Sequence, residues 1–243
     1  GGGYFSRILP HLDFSSLARR RRSLIVTGFS EMTNLLNLIA GYRCGVAWYW
    51  LCPNYLAWKI KPVAAARTAF GAFWRLMAQS IENGGSVPPR NTTALEYPNS
   101  VVARIASGKP KPGRIRLFGG CLSVLAVLAA RKKPPGVVRK GSWLVIEDVN
   151  EAGHRIDRHL AALKFAGWLD TLGGVIVGDF HSADADQKQD TVEILRYHLS
   201  PRNTPILIAD QIGHVWPMVP IVLNRPLAMS VRGDRAEMQI VGE

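Results

Sequence analysis

Three side chains in this sequence have the types and settings for acyl-transfer chemistry. Ser30 follows a short apolar run in "SLIVTGFSEMTNLL" (23–36) and precedes a helical pattern. His214 sits in "ADQIGHVWP", in a glycine-preceded turn after an apolar run, where α/β folds gather their sites. Glu147 closes the apolar run "WLVIEDV" beside Asp148. A serine attacks a carbonyl only when a base takes its proton, and the base needs a carboxylate to orient it. The order Ser30, Glu147, His214 is that of nucleophile-elbow hydrolases, but their G-x-S-x-G signature meets Met32 where Gly is required. Ser30 reads equally well as a helix N-cap, since Ser is among the best caps. Strand alternation sends Glu147 and Asp148 to opposite faces, one toward a cleft and the other capping the next turn.

The other histidines offer less. His11, His154, His159 and His198 fall on or beside polar helix faces and read as solvated. His181, in "GDFHSADAD", has Asp179, Asp184 and Asp186 nearby, but an acidic loop after a strand is a commoner reading than a metal site. Cys44, Cys52 and Cys121 lack the spacing of a metal or disulfide framework, which points to a reducing compartment.

Elements must carry these residues. Residues 4–22 read as a helix-prone lead-in ending in "ARRRR", 23–27 as a strand, and 31–40 as a helix with Gly41 as its stop. The pattern from 42 to 80 is aromatic and mixed, with a helix expected in "AARTAFGAFWRLMAQSI" and a polar linker in "ENGGSVPPRNTT". Beyond it come a strand and Gly turn in "GRIRLFGG", a helix in "LSVLAVLAA", and a buried strand in "SWLVIEDV". An amphipathic helix follows, with Ile156, Leu160, Leu163 and Ala166 on one face. "LGGVIVGDF" and "TPILIAD" read as buried strands around the helix "DTVEILRYHLS". Such alternation predicts an α/β or α+β fold. The expected division is 1–82, a linker over 83–107, and a second domain over 108–243.

The 243 residues, 47% hydrophobic, suffice for a large core. The run "LFGGCLSVLAVLAA" is only 14 residues, short of the ~20 a membrane-spanning helix needs. No signal peptide is recognisable, and a chain opening on Gly1 is expected to begin inside a longer one. The formal charge of +12 is concentrated in 18–22, 108–116 and 130–140. Pro and Gly inside two of these clusters favour solvated loops over a nucleic-acid surface, since no basic stripe interleaved with aromatics accompanies them.

"SRILPHLDF", "VTGFSEMTNLL", "RLFGGCLSVLAVLA", "VIEDVNEAGHRIDRHLAALKFAGWLDTLGGVIVGDF" and "QIGHVWPMVPI" resemble successive blocks of the LD-carboxypeptidase family, in family order, covering most of the chain outside 42–107. The family comprises serine peptidases such as muramoyltetrapeptide carboxypeptidase and the microcin C immunity peptidase. The resemblance implies a Rossmann-like N-terminal part and a C-terminal α/β domain with a swivelling-type β-core, the active site lying in the groove between them. Ser30 then matches the nucleophile, Glu147 the acidic residue of the family's L-E-D/E-V strand, and His214 the histidine of its F-G-H turn. The oxyanion donors implied are the backbone N–H of Glu31 and one from the Gly1–Gly3 run, assigned to Gly2.

The resemblance also implies a cytoplasmic homodimer with no metal or cofactor, cleaving an L–D amide bond to free D-alanine from murein tetrapeptides. Two other readings are an immunity-type peptidase acting on a peptide–nucleotide antibiotic, with a base pocket from the aromatic 48–58 stretch, and a non-catalytic basic binding protein or truncated remnant. The chain departs from the family at Glu31 (usually Asp), Cys121 (usually Asn) and Ile212 (usually Phe), and its H-G-P stretch is not recognisable. It also lacks the strands and helices that precede the glycine run in the family, so the Rossmann-like part is expected to be incomplete.

Overall fold

The computed structural model describes residues 4–50 except 23, individual positions between 52 and 82, residues 100–181 except 132, and 187–241 except 217. The side chains of 181 and 187–189 are likewise outside the description. Gly1–Gly3 and most of the expected helix and linker between 51 and 99 lie outside the described residues.

A 3-10 turn, Phe5–His11, and the short helix α1, Phe14–Ala18, lead into strand β1, Leu24–Gly28. The 3-10 turn Ser30–Met32 passes directly into helix α2, Thr33–Gly41, and the chain returns as β2, Gly45–Tyr49. β1 and β2 pair in parallel, as a β–α–β crossover requires, and the register sets Gly28 beside Tyr49. Strand β2 is buried along nearly its whole length, so it carries the continuous apolar pattern of a two-sided core strand rather than an alternating one. That pattern is why Gly45–Tyr49 reads only as "aromatic and mixed" in sequence.

The second half closes on itself. Strands β3 (Ser100–Ser107), β4 (Gly113–Cys121), β5 (Trp143–Val149), β6 (Gly174–His181), β7 (Ile206–Ile208), β9 (Pro226–Arg232) and β10 (Arg235–Ile240) form a closed seven-stranded barrel. Its order is β10-β3-β7-β6-β5-β4-β9, with β4 to β7 parallel and the remaining pairings antiparallel. Ser100–Ser107, inside the stretch read from sequence as a linker, is therefore a barrel strand. Closure leaves no unpaired edge.

The helices follow the strands they connect. α3, Leu122–Ala126, leaves the end of β4; α4, Gly153–Phe165, joins β5 to β6; α5, Gln187–Leu199, joins β6 to β7. On α4 the buried residues are Ile156, Leu160 and Leu163, the i, i+4, i+7 stripe of an amphipathic helix, each contributing about 1.5–3 kcal/mol by burial. The small strand β8, Ile221–Val222, crosses back to pair antiparallel with β2 and completes a three-stranded sheet. The α/β class expected from the alternation of elements is the class observed.

Three polar side chains of α2 knit that sheet to the barrel. Asn37 donates to the Gly119 carbonyl at 2.8 Å and to the Thr33 carbonyl at 2.7 Å, and accepts the Gly119 N–H at 2.9 Å. Asn34 donates to the Val124 carbonyl at 2.9 Å, and Thr33 Oγ1 accepts the Cys121 N–H at 3.0 Å. All three are buried, where an unmade bond would cost about 1–3 kcal/mol. The helix that follows Ser30 is thereby fixed against the end of β4.

Candidate active site

Ser30 lies at the corner where β1 gives way to α2, with φ of 57°, a left-handed conformation uncommon for a residue with a side chain. Such a sharp strand-to-helix turn presents a side chain clear of both elements. Space for it comes from Gly28, where a Cβ would fall 2.7 Å from Met32 Cγ. The turn is held from within, since Thr33 Oγ1 donates to the Ser30 carbonyl at 2.6 Å. Backbone conformations of this kind cost about 1–3 kcal/mol and persist where surrounding contacts impose them.

The parallel register that puts Tyr49 beside Gly28 carries its ring past the corner. The Ser30 N–H donates to Tyr49 Oη at 3.2 Å, and the same hydroxyl donates to Glu147 Oε1. Glu147 Oε2 lies 2.7 Å from His214 Nδ1. One hydroxyl thus links the backbone of Ser30 to the carboxylate that holds His214. The ring of Phe29, the residue before Ser30, meets the His214 ring edge-on at a centroid distance of 4.9 Å. Ser30, Glu147 and His214, selected from positions far apart in sequence, are gathered into one cluster between the small sheet and the barrel.

Glu147 has no exposed surface, and a buried carboxylate persists only with partners for both oxygens. Tyr49 serves one and His214 the other. Glu147 stands where the β5–β6 pairing shifts register between Ile146 and Asp148, a local irregularity that re-aims a side chain. Gly213, at φ of 123°, lets the His214 turn approach: a Cβ there would sit 2.9 Å from Glu147 Oε2. Asp148, as alternation predicts, faces the other way. It accepts the Ser123 N–H at 2.7 Å and its hydroxyl at 3.2 Å, closing the first turn of α3.

Burial pulls the proton affinity of His214 down, but the hydrogen bond and charge of Glu147, with Asp148 and Asp179 behind it, outweigh that and raise its pKa above the ordinary value. With Nδ1–H donated to the carboxylate, Nε2 carries the lone pair and can take a proton. Burial first, then the charge of Glu147, holds the Tyr49 phenol well above its usual range, so it stays a donor. Burial, reinforced by Asp148 and Glu147, likewise pushes the Cys121 thiol far up and leaves it un-ionised. Its Sγ lies 3.4 Å from Asp148 Oδ1, so the cysteine in place of the expected asparagine joins the Asp148 cluster.

Of the remaining sequence expectations, Glu31 lies in the 3-10 turn immediately after Ser30, and Gly2 lies outside the described residues. His198 is not solvated: it is 6% exposed, with Nε2 2.8 Å from Asp157 Oδ1, because α5 packs its C-terminal turn against α4. Among the described residues no group of three or more His, Cys, Asp or Glu could hold a metal ion; Asp184, Asp186 and the His181 side chain lie outside them. Tyr49 and Thr33 were not foreseen. The available signal for Tyr49 was a phenol inside the wholly apolar run "VAWYW", whose hydroxyl needs a partner once buried.

Residues 114–229, from β4 to β9, match the model of the LD-carboxypeptidase C-terminal domain. This stretch of the chain carries the likeness to the LD-carboxypeptidase family. A Streptomyces coelicolor protein named as a carboxypeptidase is 36% identical over 124 residues, 49% of this chain and 39% of that protein. A Bacillus subtilis protein named as a murein peptide carboxypeptidase is 30% identical over 133 residues, 53% of this chain and 41% of that protein. The matched stretches thus span about two fifths of these relatives, at 39% and 41% of their lengths. Among solved structures, muramoyltetrapeptide carboxypeptidase from Oxalobacter formigenes shares the fold with a TM-score of 0.70 at 22% identity, covering 100% of this chain and 77% of that one. The microcin C7 self immunity protein MccF, solved with glutamyl sulfamoyl guanosine, has a TM-score of 0.69 at 21% identity, covering 98% of this chain and 73% of that one.

Proposed function

We propose that this chain is a serine peptidase of the LD-carboxypeptidase family that hydrolyses an L–D amide bond, releasing a C-terminal D-alanine from murein tetrapeptides. The observation that carries the reading is the His214–Glu147 contact of 2.7 Å, tied through Tyr49 to the backbone of Ser30. In this reading Ser30 Oγ attacks the carbonyl carbon while His214 Nε2 takes the hydroxyl proton. The tetrahedral intermediate collapses as His214 returns that proton to the departing amine, leaving Ser30 acylated. Water, deprotonated by the same nitrogen, then attacks the ester and frees the shortened peptide. Glu147 holds the ring and stabilises its cation.

The Ser30 N–H is already engaged by Tyr49, so the oxyanion falls to the next amide, that of Glu31, with a second donor from the Gly1–Gly3 run, assigned to Gly2. The family resemblance supports a homodimer acting in the cytoplasm on peptides from wall turnover, with no cofactor. Among the described residues no helix is long and apolar enough to cross a membrane.

The likeness to MccF supports a second reading, in which the scissile amide joins an amino acid to a nucleotide-like group. Incubation with a tetrapeptide ending in L-centre–D-alanine, with its all-L diastereomer, and with an aminoacyl sulfamoyl nucleoside separates the two. The first reading predicts release of D-alanine from the first substrate alone. Hydrolysis of the nucleoside conjugate alone would establish the second.

A further inference from the structure

At the opposite end of the barrel from Glu147 and His214, two of the basic clusters of the sequence meet arginines from elsewhere in the chain. A cavity of about 370 Å³ is lined by Arg43, Arg116, Arg139 and Arg225, brought from four separate places in the chain. Arg43 follows α2, Arg116 lies on β4, Arg139 precedes β5, and Arg225 lies between β8 and β9. An adjoining cavity shares Arg116 and Arg139 and adds Arg114 and Lys140. Among the described residues that line either cavity, none is acidic. Arg116 is five residues before Cys121 on β4, about 16 Å at the rise of a strand, so this site is separate from the one containing Ser30.

The guanidinium groups are built in rather than scattered. Arg116 Nη1 donates to the Asn224 carbonyl at 2.6 Å, and Arg139 Nε donates to the Gly136 carbonyl at 2.5 Å. Each guanidinium carries five donors in a planar fork, so one such bond fixes its plane while further N–H groups stay available. Arg43 and Asn224 both have positive φ, 58° and 56°, and Asn224 Nδ2 donates to the Ala40 carbonyl at 2.9 Å, clamping the two turns together at the cavity wall. Like charges gathered around one concavity repel one another, and an anion between them relieves that repulsion.

We propose that this arginine-lined cavity binds a small anion carrying two or more phosphate groups. Its volume suits a compact ligand, and forked guanidinium donors suit phosphate oxygens. A nucleic-acid backbone would instead call for an open basic track with aromatic platforms for the bases, and neither cavity has an aromatic residue in its described lining. Arg114 and Arg116 of the 108–116 cluster and Arg139 and Lys140 of the 130–140 cluster meet at these cavities, whereas the 18–22 cluster lies outside them.

Calorimetric titration of the full chain with tripolyphosphate at about 0.15 M salt tests this. The expected result is one-to-one binding, weakened at least tenfold by Arg116→Gln with Arg139→Gln. The same charge removed by Arg20→Gln with Arg21→Gln, in the exposed run outside the cavity, should change binding less than twofold. Arg43→Gln, at an exposed position, should weaken it at least threefold and serves if the paired cavity variant does not fold. Absence of binding, or equal weakening by both paired variants, would overturn the proposal. A single-stranded oligonucleotide that displaces tripolyphosphate and binds far more tightly would overturn it in favour of a nucleic-acid surface.

Discussion

His214 Nδ1 stands 2.7 Å from Glu147 Oε2, and that carboxylate has no exposed surface. The pair brings together the end of β5 and the turn after β7, with Gly213 allowing the contact. A buried carboxylate and an imidazole this close do more than orient the ring, because the carboxylate also sets where the ring titrates.

That titration should appear in the pH profile. Glu147 raises the His214 pKa above the ordinary histidine value of about 6.5, overcoming burial, and a general base must be unprotonated. The value of kcat/KM is therefore expected to rise with pH along a limb centred above that value. In Glu147→Gln the hydrogen-bonded charge is gone while burial, which acts downward, remains, so the limb should move to lower pH as kcat falls. For stability the sign is opposite. A raised folded-state pKa favours the protonated form, so the His214 contribution is full below its unfolded pKa and is lost as pH rises through the folded one.

Tyr49→Phe removes a hydroxyl that has two partners, Ser30 N–H and Glu147 Oε1. Both are left without it in a buried setting, at a cost of about 1–3 kcal/mol in unfolding free energy. Denaturant unfolding should show this loss. The same variant should lower kcat more than it raises KM, since the hydroxyl positions the serine turn and the carboxylate.

Gly213→Ala places a methyl 2.9 Å from Glu147 Oε2 at a φ of 123°. The expected cost is about 1–3 kcal/mol in stability from backbone strain, with loss of activity as Glu147 is pushed away from His214. Gly233→Ala is the control: φ is also positive there, 59°, but a Cβ meets nothing within 4 Å, so stability alone should change.

The three candidate site residues, which the structure brings together, stand out in sequence because each ends a pattern. Ser30 closes a strand before a helix, Glu147 closes an apolar run, and His214 follows a glycine after one. Local periodicity also located β5, β6, α4 and α5. Barrel closure was not legible, because β3 and the β9–β10 hairpin earn their place through long-range pairing rather than through a strong local pattern. Tyr49 was hidden for a related reason. Its partners, Ser30 and Glu147, lie 19 and 98 residues away, and only the parallel register with Gly28 brings them within reach. His198 was misread because polarity along α5 does not reveal that α4 packs over its last turn.

The most direct test of the account is D-alanine release from a tetrapeptide ending in an L–D bond, measured for the parent chain and for Ser30→Ala. The account predicts turnover by the parent and a fall of about 10³-fold or more in the variant, with folding unchanged by circular dichroism. Comparable release by both proteins would contradict it, leaving Ser30 as the residue that turns β1 into α2 and no more.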